Sequence, residues 1–428
     1  MITSLIQPLT RAVRVLIILF LAGGAGVMTG CDQALTDTAE APTTPPPVTD
    51  DADLRAKIVQ DREIMEARRR AYLEEGIVPD VPSSLSDDPR NPEFIFEGYS
   101  TPATAAEALA AQERAGKADD EPDVADKADA PKDLGVFINP ATGEMWRWKP
   151  ANVKQRVAEL RALSKEGGSE TETPGYAGAG TVEEDGVPFE ESASKIIGNS
   201  DQRQIRSKTS GHSMTSYPWR AIGGLNPDGQ NSNSPNALCT ATKIGPRHLL
   251  TSGHCVHTGG GGGSFMWRDW WPGQDGMDKY VNGGDPSPKG VYNIQWYWVH
   301  SDWINSGQNN KDYAVLILYD SPSAVGLGWF GLKVDNTLAN TSAWNFGYPS
   351  WGNTCENSTY TNNSCRNSMW GMSEKIVSTS LSYAYYKHDT QGGHSGSPVY
   401  QYNGGNRQII AVHKGESVTT NRGIKITN

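Results

Sequence analysis

From Ile196 to the last residue, the hydrophobic positions fall in short runs that alternate with polar residues. Leu249–Ser252, Tyr313–Leu318 and Ile409–His413 are typical runs, and clusters of Gly, Asn, Asp, Pro and Ser separate them. Many short strands joined by glycine-rich turns are characteristic of an all-β sandwich or barrel. We therefore predict an all-β domain over residues 196–428.

The first half of the chain has a different pattern, with helical spacing in some stretches and low hydrophobicity in others. Apolar residues recur among many charges in Asp51–Glu75, which predicts a solvated helix. Val136–Ile138 and Met145–Trp148 flank a turn-forming Asn-Pro-Ala-Thr-Gly segment, and this pattern predicts a β-hairpin. Further helices are predicted at 105–117 and 152–163, and flexible segments at 32–50, 119–129 and 167–191.

The N-terminus has the layout of a bacterial export signal. Arg11 and Arg14 precede the apolar run Val15–Ala22, which is too short to predict a membrane-spanning helix, and small residues follow. Gly30-Cys31 resembles the cut site of a lipoprotein signal, in which Cys31 becomes the lipidated first residue. An ordinary signal peptide and a membrane anchor are the alternatives. We expect an exported cell-envelope protein attached to a membrane through Cys31, or released outside the cell after processing.

Four cysteines remain, and an even number in an exported chain suggests two disulfides. A bridge between Cys239 and Cys255 would tie the turn that holds His254 to the neighbouring strand. Cys355 and Cys365 flank a loop of Asn, Ser and Thr, which a second bridge would staple. This loop offers too few ligands for a metal site, and we predict no metal or other cofactor.

The formal net charge of -11 argues against nucleic acid as a partner, because binding to phosphates requires a basic face. An acidic balance suits a soluble exported protein and many other proteins, so it does not select a function. We expect a monomer.

Three segments carry candidate catalytic chemistry. His254 lies in a Gly turn directly after the apolar run Leu249–Ser252. Asp312 begins an apolar strand, and a carboxylate there can accept the second N–H of a histidine and fix its tautomer. Ser395 needs a base because a lone serine is a weak nucleophile, and His254 can supply that base.

The glycines around Ser395 allow a tight turn that side chains would obstruct. Such a turn can aim the backbone N–H groups of Gly393 and Ser395 at one point, which is what a developing oxyanion requires. The other histidines have no comparable setting, and we expect the following ones at the surface: His248, His257, His300, His388 and His394.

In the order His, Asp, Ser, these segments resemble the chymotrypsin-like (trypsin-like) serine proteases, and more narrowly the bacterial glutamyl endopeptidases. Gly347–Pro349 and Ile196–Ile205 add to the resemblance. It implies an all-β double antiparallel barrel in which His254 and Asp312 belong to the first barrel and Ser395 to the second. It also implies a serine endopeptidase that hydrolyses polypeptides through a Ser-His-Asp triad and an acyl-enzyme.

The resemblance also suggests an S1 pocket, with two readings of its specificity. Thr390 and His413 match positions that contact a Glu side chain in glutamyl endopeptidases, and Lys414 would also favour acidic peptides. Asp389, however, lies six residues before Ser395, where trypsin-like enzymes keep the Asp that binds Arg or Lys. We favour cleavage after Glu or Asp. Cleavage after Arg or Lys is the alternative, as is a non-catalytic binding protein on a degenerate protease fold.

The chain thus divides into a signal at residues 1–30, a mostly helical and disordered tether and prosegment at 31–195, and the protease domain at 196–428. Lys195–Ile196 is a candidate processing bond, and a new amino terminus near Ile196 could help complete the S1 pocket. A permanent spacer is the alternative for the tether and prosegment.

Overall fold

The computed structural model describes the protease domain and parts of the N-terminal extension. Apart from short gaps, the described residues are 51–80, 94–104, 135–149, 203–205, 213–226, 237–275, 290–319, 326–349, 367–416 and 419–427. The predicted helices near 105–117 and 152–163 lie mostly or wholly outside these ranges. So do the predicted flexible segments, Cys31, Cys355, Cys365 and the Lys195–Ile196 bond.

Six antiparallel strands form the first barrel, and their hydrogen bonding closes in the order β5-β6-β7-β10-β9-β8 and back to β5. These strands are β5 (Ile222–Asn226), β6 (Cys239–Lys243), β7 (His248–Thr251), β8 (Asp269–Pro272), β9 (Tyr292–Val299) and β10 (Ala314–Leu318). Large apolar side chains fill the barrel, among them Leu249, Trp270, Tyr297 and Leu316, which are all fully buried. The run after Asp312 is apolar almost throughout because both faces of β10 pack on hydrophobic clusters: Leu316 belongs to the barrel interior, and Val315 belongs to a second cluster.

The second barrel closes in the same way, in the order β12-β13-β14-β17-β16-β15 and back to β12. Its strands are β12 (Ser342–Gly347), β13 (Trp370–Thr379), β14 (Tyr383–Tyr386), β15 (Pro398–Asn403), β16 (Asn406–Glu416) and β17 (Asn421–Lys425). Two short strands, β4 (Gln204–Ile205) and β11 (Gly331–Leu332), pair with β13 and β16. The predicted double antiparallel barrel is therefore confirmed.

Part of the N-terminal extension continues the sheet of the first barrel. It contributes α1 (Asp51–Glu75), β1 (Phe94–Tyr99), β2 (Val136–Ile138) and β3 (Glu144–Trp148). The predicted first helix and the predicted hairpin are both confirmed. Strand β2 pairs with the end of β9 that β8 does not cover, and β3 and β1 follow outward in turn. None of the described helices is long and apolar enough to span a membrane.

The two barrels share one hydrophobic cluster. Trp219 and Leu250 from the first barrel's side belong to it, together with Phe346, Tyr400 and Val412 from the second. Trp219 packs edge-on against Phe346 with ring centroids 4.9 Å apart. This shared core fixes the strand ends of one barrel against those of the other, where the candidate site lies.

Candidate active site

The first barrel supplies His254 on a short 3-10 helix, Gly253–Cys255, that follows β7 directly. His254 is fully buried. The predicted disulfide between Cys239 and Cys255 is present, with the two Cα atoms 5.9 Å apart, and it ties this helix to β6. The turn that carries the imidazole is therefore anchored both by the strand before it and by a covalent crosslink.

Asp312 lies directly before β10 and holds His254 through two hydrogen bonds. Its Oδ2 is 2.8 Å from Nδ1 of the imidazole, and its Oδ1 accepts the backbone N–H of His254 at 2.7 Å. Burial alone would raise the pKa of Asp312, but the contacts with His254 and the charge of Lys414 lower that pKa below its usual value. The carboxylate is thus kept ionised, and it orients the ring.

Ser395 comes from the second barrel and lies beside this pair. Its carbonyl oxygen accepts the backbone N–H of Thr240 at 2.8 Å and lies 3.6 Å from the Cys255 sulfur. Its hydroxyl donates to the Lys414 carbonyl at 3.4 Å. In the described part of the chain, Nε2 of His254 has no hydrogen-bond partner. Catalytic hydrogen bonds are often long before substrate binds, so this arrangement is compatible with proton transfer from Ser395 to His254.

The turn around Ser395 depends on two glycines with positive φ, Gly393 at 96° and Gly396 at 85°. Gly396 donates its backbone N–H to the carbonyl of His413, and Ser397 donates to that of His394. Among the described residues, no acceptor takes the N–H of Gly393 or Ser395. The role of these two donors at an oxyanion stays a prediction.

Hydrogen bonds across the barrels connect the second barrel to residues of the first barrel near His254. Thr240 donates its hydroxyl to the carbonyl of Gly393 at 3.0 Å, in addition to the backbone bond with Ser395. Ser252, two residues before His254, donates its hydroxyl to the carbonyl of His413 at 2.8 Å. Sequence reasoning missed Thr240 and Ser252, since nothing in a lone Thr or Ser reports that it faces another barrel.

The family to which this chain belongs is shown by a match to one family model. The family model described as Trypsin matches residues 208–427. The chain belongs to the trypsin family. The predicted membership in the chymotrypsin-like serine endopeptidases is therefore confirmed, and the match begins well after the strands of the N-terminal extension.

Two curated bacterial proteins are similar to this trypsin-family chain. The "Extracellular metalloprotease" of Bacillus subtilis is 29% identical over 238 residues, which cover 55% of this chain and 67% of that protein. The "Glutamyl endopeptidase" of Bacillus licheniformis is 26% identical over 245 residues, which cover 55% of this chain and 66% of that protein. The chain thus spans about two thirds of the length of each, and the predicted resemblance to glutamyl endopeptidases is confirmed.

Two solved structures are also similar to parts of this chain. A Glu endopeptidase in complex with MPD matches with a TM-score of 0.43 and 26% identity, over 54% of this chain and 94% of that one. The protease Anisep from Arthrobacter nicotinovorans matches with a TM-score of 0.38 and 19% identity, over 50% of this chain and 93% of that one.

The predicted S1 residues lie next to the serine turn. His413 is buried, and its Nδ1 is 2.7 Å from the hydroxyl of Tyr386. Burial lowers the pKa of His413 to about 3, which keeps the ring neutral in the free enzyme. Asp389 is buried, with its backbone N–H directed at the Met372 sulfur at 3.1 Å, and Thr390 is half-buried.

Two sequence expectations about charged and titratable residues are wrong. The histidines expected at the surface are all buried: His248, His257, His300, His388 and His394. Desolvation lowers the pKa of each of them, because burial penalises the charged ring. Lys414, expected to favour acidic peptides, is fully buried, and its Nζ lies 3.7 Å from Oδ2 of Asp312.

One group of potential metal ligands exists among the described residues, and it consists of Cys239, His254 and Cys255. The two sulfurs are bonded to each other, so neither is a thiolate that could bind a metal ion. This group therefore offers a single histidine nitrogen as a possible metal ligand.

Proposed function

We propose that the chain is an exported serine endopeptidase in which Ser395 is the nucleophile, His254 the general base and Asp312 the group that orients it. The main support is the pairing of the buried Asp312 carboxylate with Nδ1 of His254 at 2.8 Å, which directs the unpaired Nε2 away from the carboxylate. Ser395 comes from the opposite barrel, and its carbonyl oxygen accepts the backbone N–H of Thr240. Trypsin-family membership supports the reaction class.

The reaction follows from these positions. Ser395 Oγ attacks the scissile carbonyl while Nε2 of His254 takes its proton, and Asp312 stabilises the imidazolium that forms. The N–H groups of Gly393 and Ser395 donate to the tetrahedral oxyanion. His254 then protonates the leaving amine, so that the peptide C–N bond breaks and an ester to Ser395 remains. Water, deprotonated by His254, hydrolyses that ester and restores the hydroxyl.

A fluorophosphonate probe tests the proposal, because it reacts with a serine only when a base activates the hydroxyl. We expect mass spectrometry to find the label on Ser395 in the full chain or after proteolytic removal of the linker before residue 203. A protein that stays unlabelled in both forms would instead favour the non-catalytic scaffold on a protease fold.

We propose that the enzyme prefers Glu or Asp at P1, with His413 and Thr390 as the pocket residues. The relative named glutamyl endopeptidase supports this preference. A neutral His413 beside Tyr386 can donate one N–H to a P1 carboxylate, and the negative charge would raise the pKa of that ring. Asp389 supports the rival preference for Arg or Lys.

A P1-scanned peptide library, cleaved by wild type, His413→Leu and Asp389→Asn, separates the two preferences. We expect His413→Leu to lower kcat/KM for Glu peptides about 100-fold, because the carboxylate loses its donor in a desolvated pocket. Asp389→Asn serves as the matched control and should keep the Glu preference. If wild type cleaves Arg peptides and Asp389→Asn does not, the pocket instead selects Arg or Lys at P1.

We propose that Cys31 carries a lipid that attaches the protein to a bacterial membrane. The support is the sequence alone: two arginines, a short apolar run and small residues lead up to Gly30-Cys31. Metabolic labelling with a palmitate analogue should mark the wild type and not Cys31→Ser. Equal labelling of the two proteins would exclude this anchor.

A further inference from the structure

The segments 94–103 and 135–148, called here the accessory sheet, extend the sheet of the first barrel although they lie outside the residues matched by the trypsin family. Strand β2 pairs with β9 at three successive positions, including Phe137 opposite Trp298. A second connection joins 101–103 to Phe265, where Ala103 donates to the Phe265 carbonyl at 2.7 Å. The accessory sheet is thus hydrogen-bonded to the protease domain at two separate places.

Its side chains are also part of the protein core. Phe94 and Trp148 pack with ring centroids 4.7 Å apart, and both belong to the hydrophobic cluster that contains Trp298 and Tyr313. Phe94, Phe137, Ile138, Trp146 and Trp148 are each at most 6% exposed. Burying a large apolar side chain stabilises a fold by about 1.5–3 kcal/mol, so these four aromatic side chains and Ile138 form a stable docked surface.

This surface continues toward the candidate site. Trp298 stacks on Tyr313 with ring centroids 6.1 Å apart, and Tyr313 directly follows Asp312. Gly135 lies so close to the Trp298 ring that a Cβ there would be 2.6 Å from it. The accessory sheet therefore covers the edge of β9, the strand that pairs with β10 just after Asp312.

We propose that the accessory sheet is a permanent part of the mature enzyme, which remains bound without a covalent link after the chain is cut between residues 149 and 203. The strand ladder and the buried aromatic residues give the attachment, so a cut in that interval yields a two-chain enzyme. Processing near Lys195–Ile196 then removes neither β1, β2 nor β3. This proposal does not depend on catalysis.

The test uses full-length Ser395→Ala protein, so that only an added protease cuts, with a specific cleavage sequence inserted between Gly175 and Tyr176. After complete cleavage, we expect the two fragments to co-elute in size-exclusion chromatography in equal amounts and to separate in denaturant. Separate elution under native conditions would overturn the proposal.

A matched pair of variants tests the contact itself. Phe137→Ala removes a side chain that is 4% exposed, whereas Ile95→Ala removes one that is 37% exposed. We expect Phe137→Ala to raise the dissociation constant of the two fragments about 100-fold or more and Ile95→Ala to change it little. Equal dissociation constants for the two variants would show that the buried aromatic face does not hold the accessory sheet.

A separate observation concerns Lys414, which follows His413 in β16. Its Nζ lies 3.7 Å from Oδ2 of Asp312, the same oxygen that pairs with Nδ1 of His254, and both side chains are fully buried. Its backbone carbonyl accepts the hydroxyl of Ser395. One lysine therefore touches two of the three proposed catalytic residues.

Resting on the proposed function, we infer that Lys414 is a positioning residue whose ammonium group shares Asp312 with His254 and sets the pH range of hydrolysis. A cation beside the carboxylate offsets part of its negative charge, so Asp312 stabilises a second cation on His254 less strongly. The titratable groups described around the ring are Asp312, Lys414 and His413. His413 adds no charge, since burial lowers its pKa to about 3.

The pH profile of kcat/KM distinguishes this role from a structural one. Lys414→Met removes the cation, so the acid limb should move to higher pH by about one unit, and Lys414→Arg should restore it. An unchanged acid limb in Lys414→Met would overturn the inference, even if that variant melts at lower temperature. Fluorophosphonate labelling of wild type at pH 9 separates this result from failure of the proposed function, which an unlabelled wild type would indicate.

Discussion

Replacing Ser395 with alanine should lower kcat for peptide hydrolysis about 10⁶-fold while leaving the melting temperature close to that of wild type. The hydroxyl is the proposed nucleophile, so its loss removes the covalent step and not merely one contribution to it. The Ser395 backbone keeps its bond to Thr240, and the turn around it is unchanged. Steady-state assays with a peptide substrate and thermal unfolding give the two numbers.

The same logic predicts non-additive losses among the proposed triad. His254→Ala should cost about as much as Ser395→Ala, and the double variant should cost no more than either, because base and nucleophile act as one unit. Ser397→Ala is the control from the same turn, since the Ser397 hydroxyl accepts a hydrogen bond from Asn345 and, among the described residues, makes none with the proposed triad. A tenfold or smaller loss in Ser395→Ala would refute the proposed nucleophile.

Much of the fold was predictable because its signals are local. The alternation of short apolar runs with glycine-rich turns predicted the all-β domain. The turn-forming segment before Met145 predicted the hairpin of β2 and β3. The positions of His254 and Asp312 at strand ends could be predicted for the same reason. Each depends only on the residues beside it in the chain.

What could not be predicted depends on neighbours far away in the chain. His394 is buried because its ring contacts Arg203, which directly precedes β4, and Asn345 in β12. The sequence suggests a solvent-exposed side chain at Lys414. The fold instead brings its Nζ within 3.7 Å of Oδ2 of Asp312. No local pattern shows that β2 pairs with the edge of β9, because the tertiary structure determines which strands pair.

The second large effect is expected at Gly396, which lies directly against residues of the first barrel. A Cβ there would overlap with the Thr251 hydroxyl and the Thr240 carbonyl of the first barrel and would lie 3.0 Å from the Ser252 nitrogen. The residue also has φ of 85°, which strains any side chain. Gly396→Ala should therefore push the serine turn away from His254 as well as strain its own backbone.

We expect Gly396→Ala to destabilise the protein by about 3 kcal/mol, which lowers the melting temperature by about 8 °C, and to lower kcat/KM about 100-fold. Gly290→Ala is the matched control, because Gly290 has φ of 87° and a Cβ there meets no atom of the described residues within 4 Å. It should show the strain alone, with about 1 kcal/mol of destabilisation and full activity. Equal losses of activity in the two variants would mean that backbone strain, and not the approach of Gly396 to Thr240 and Thr251, controls the placement of Ser395. A loss of activity confined to Gly396→Ala instead ties catalysis to the spacing of the two barrels.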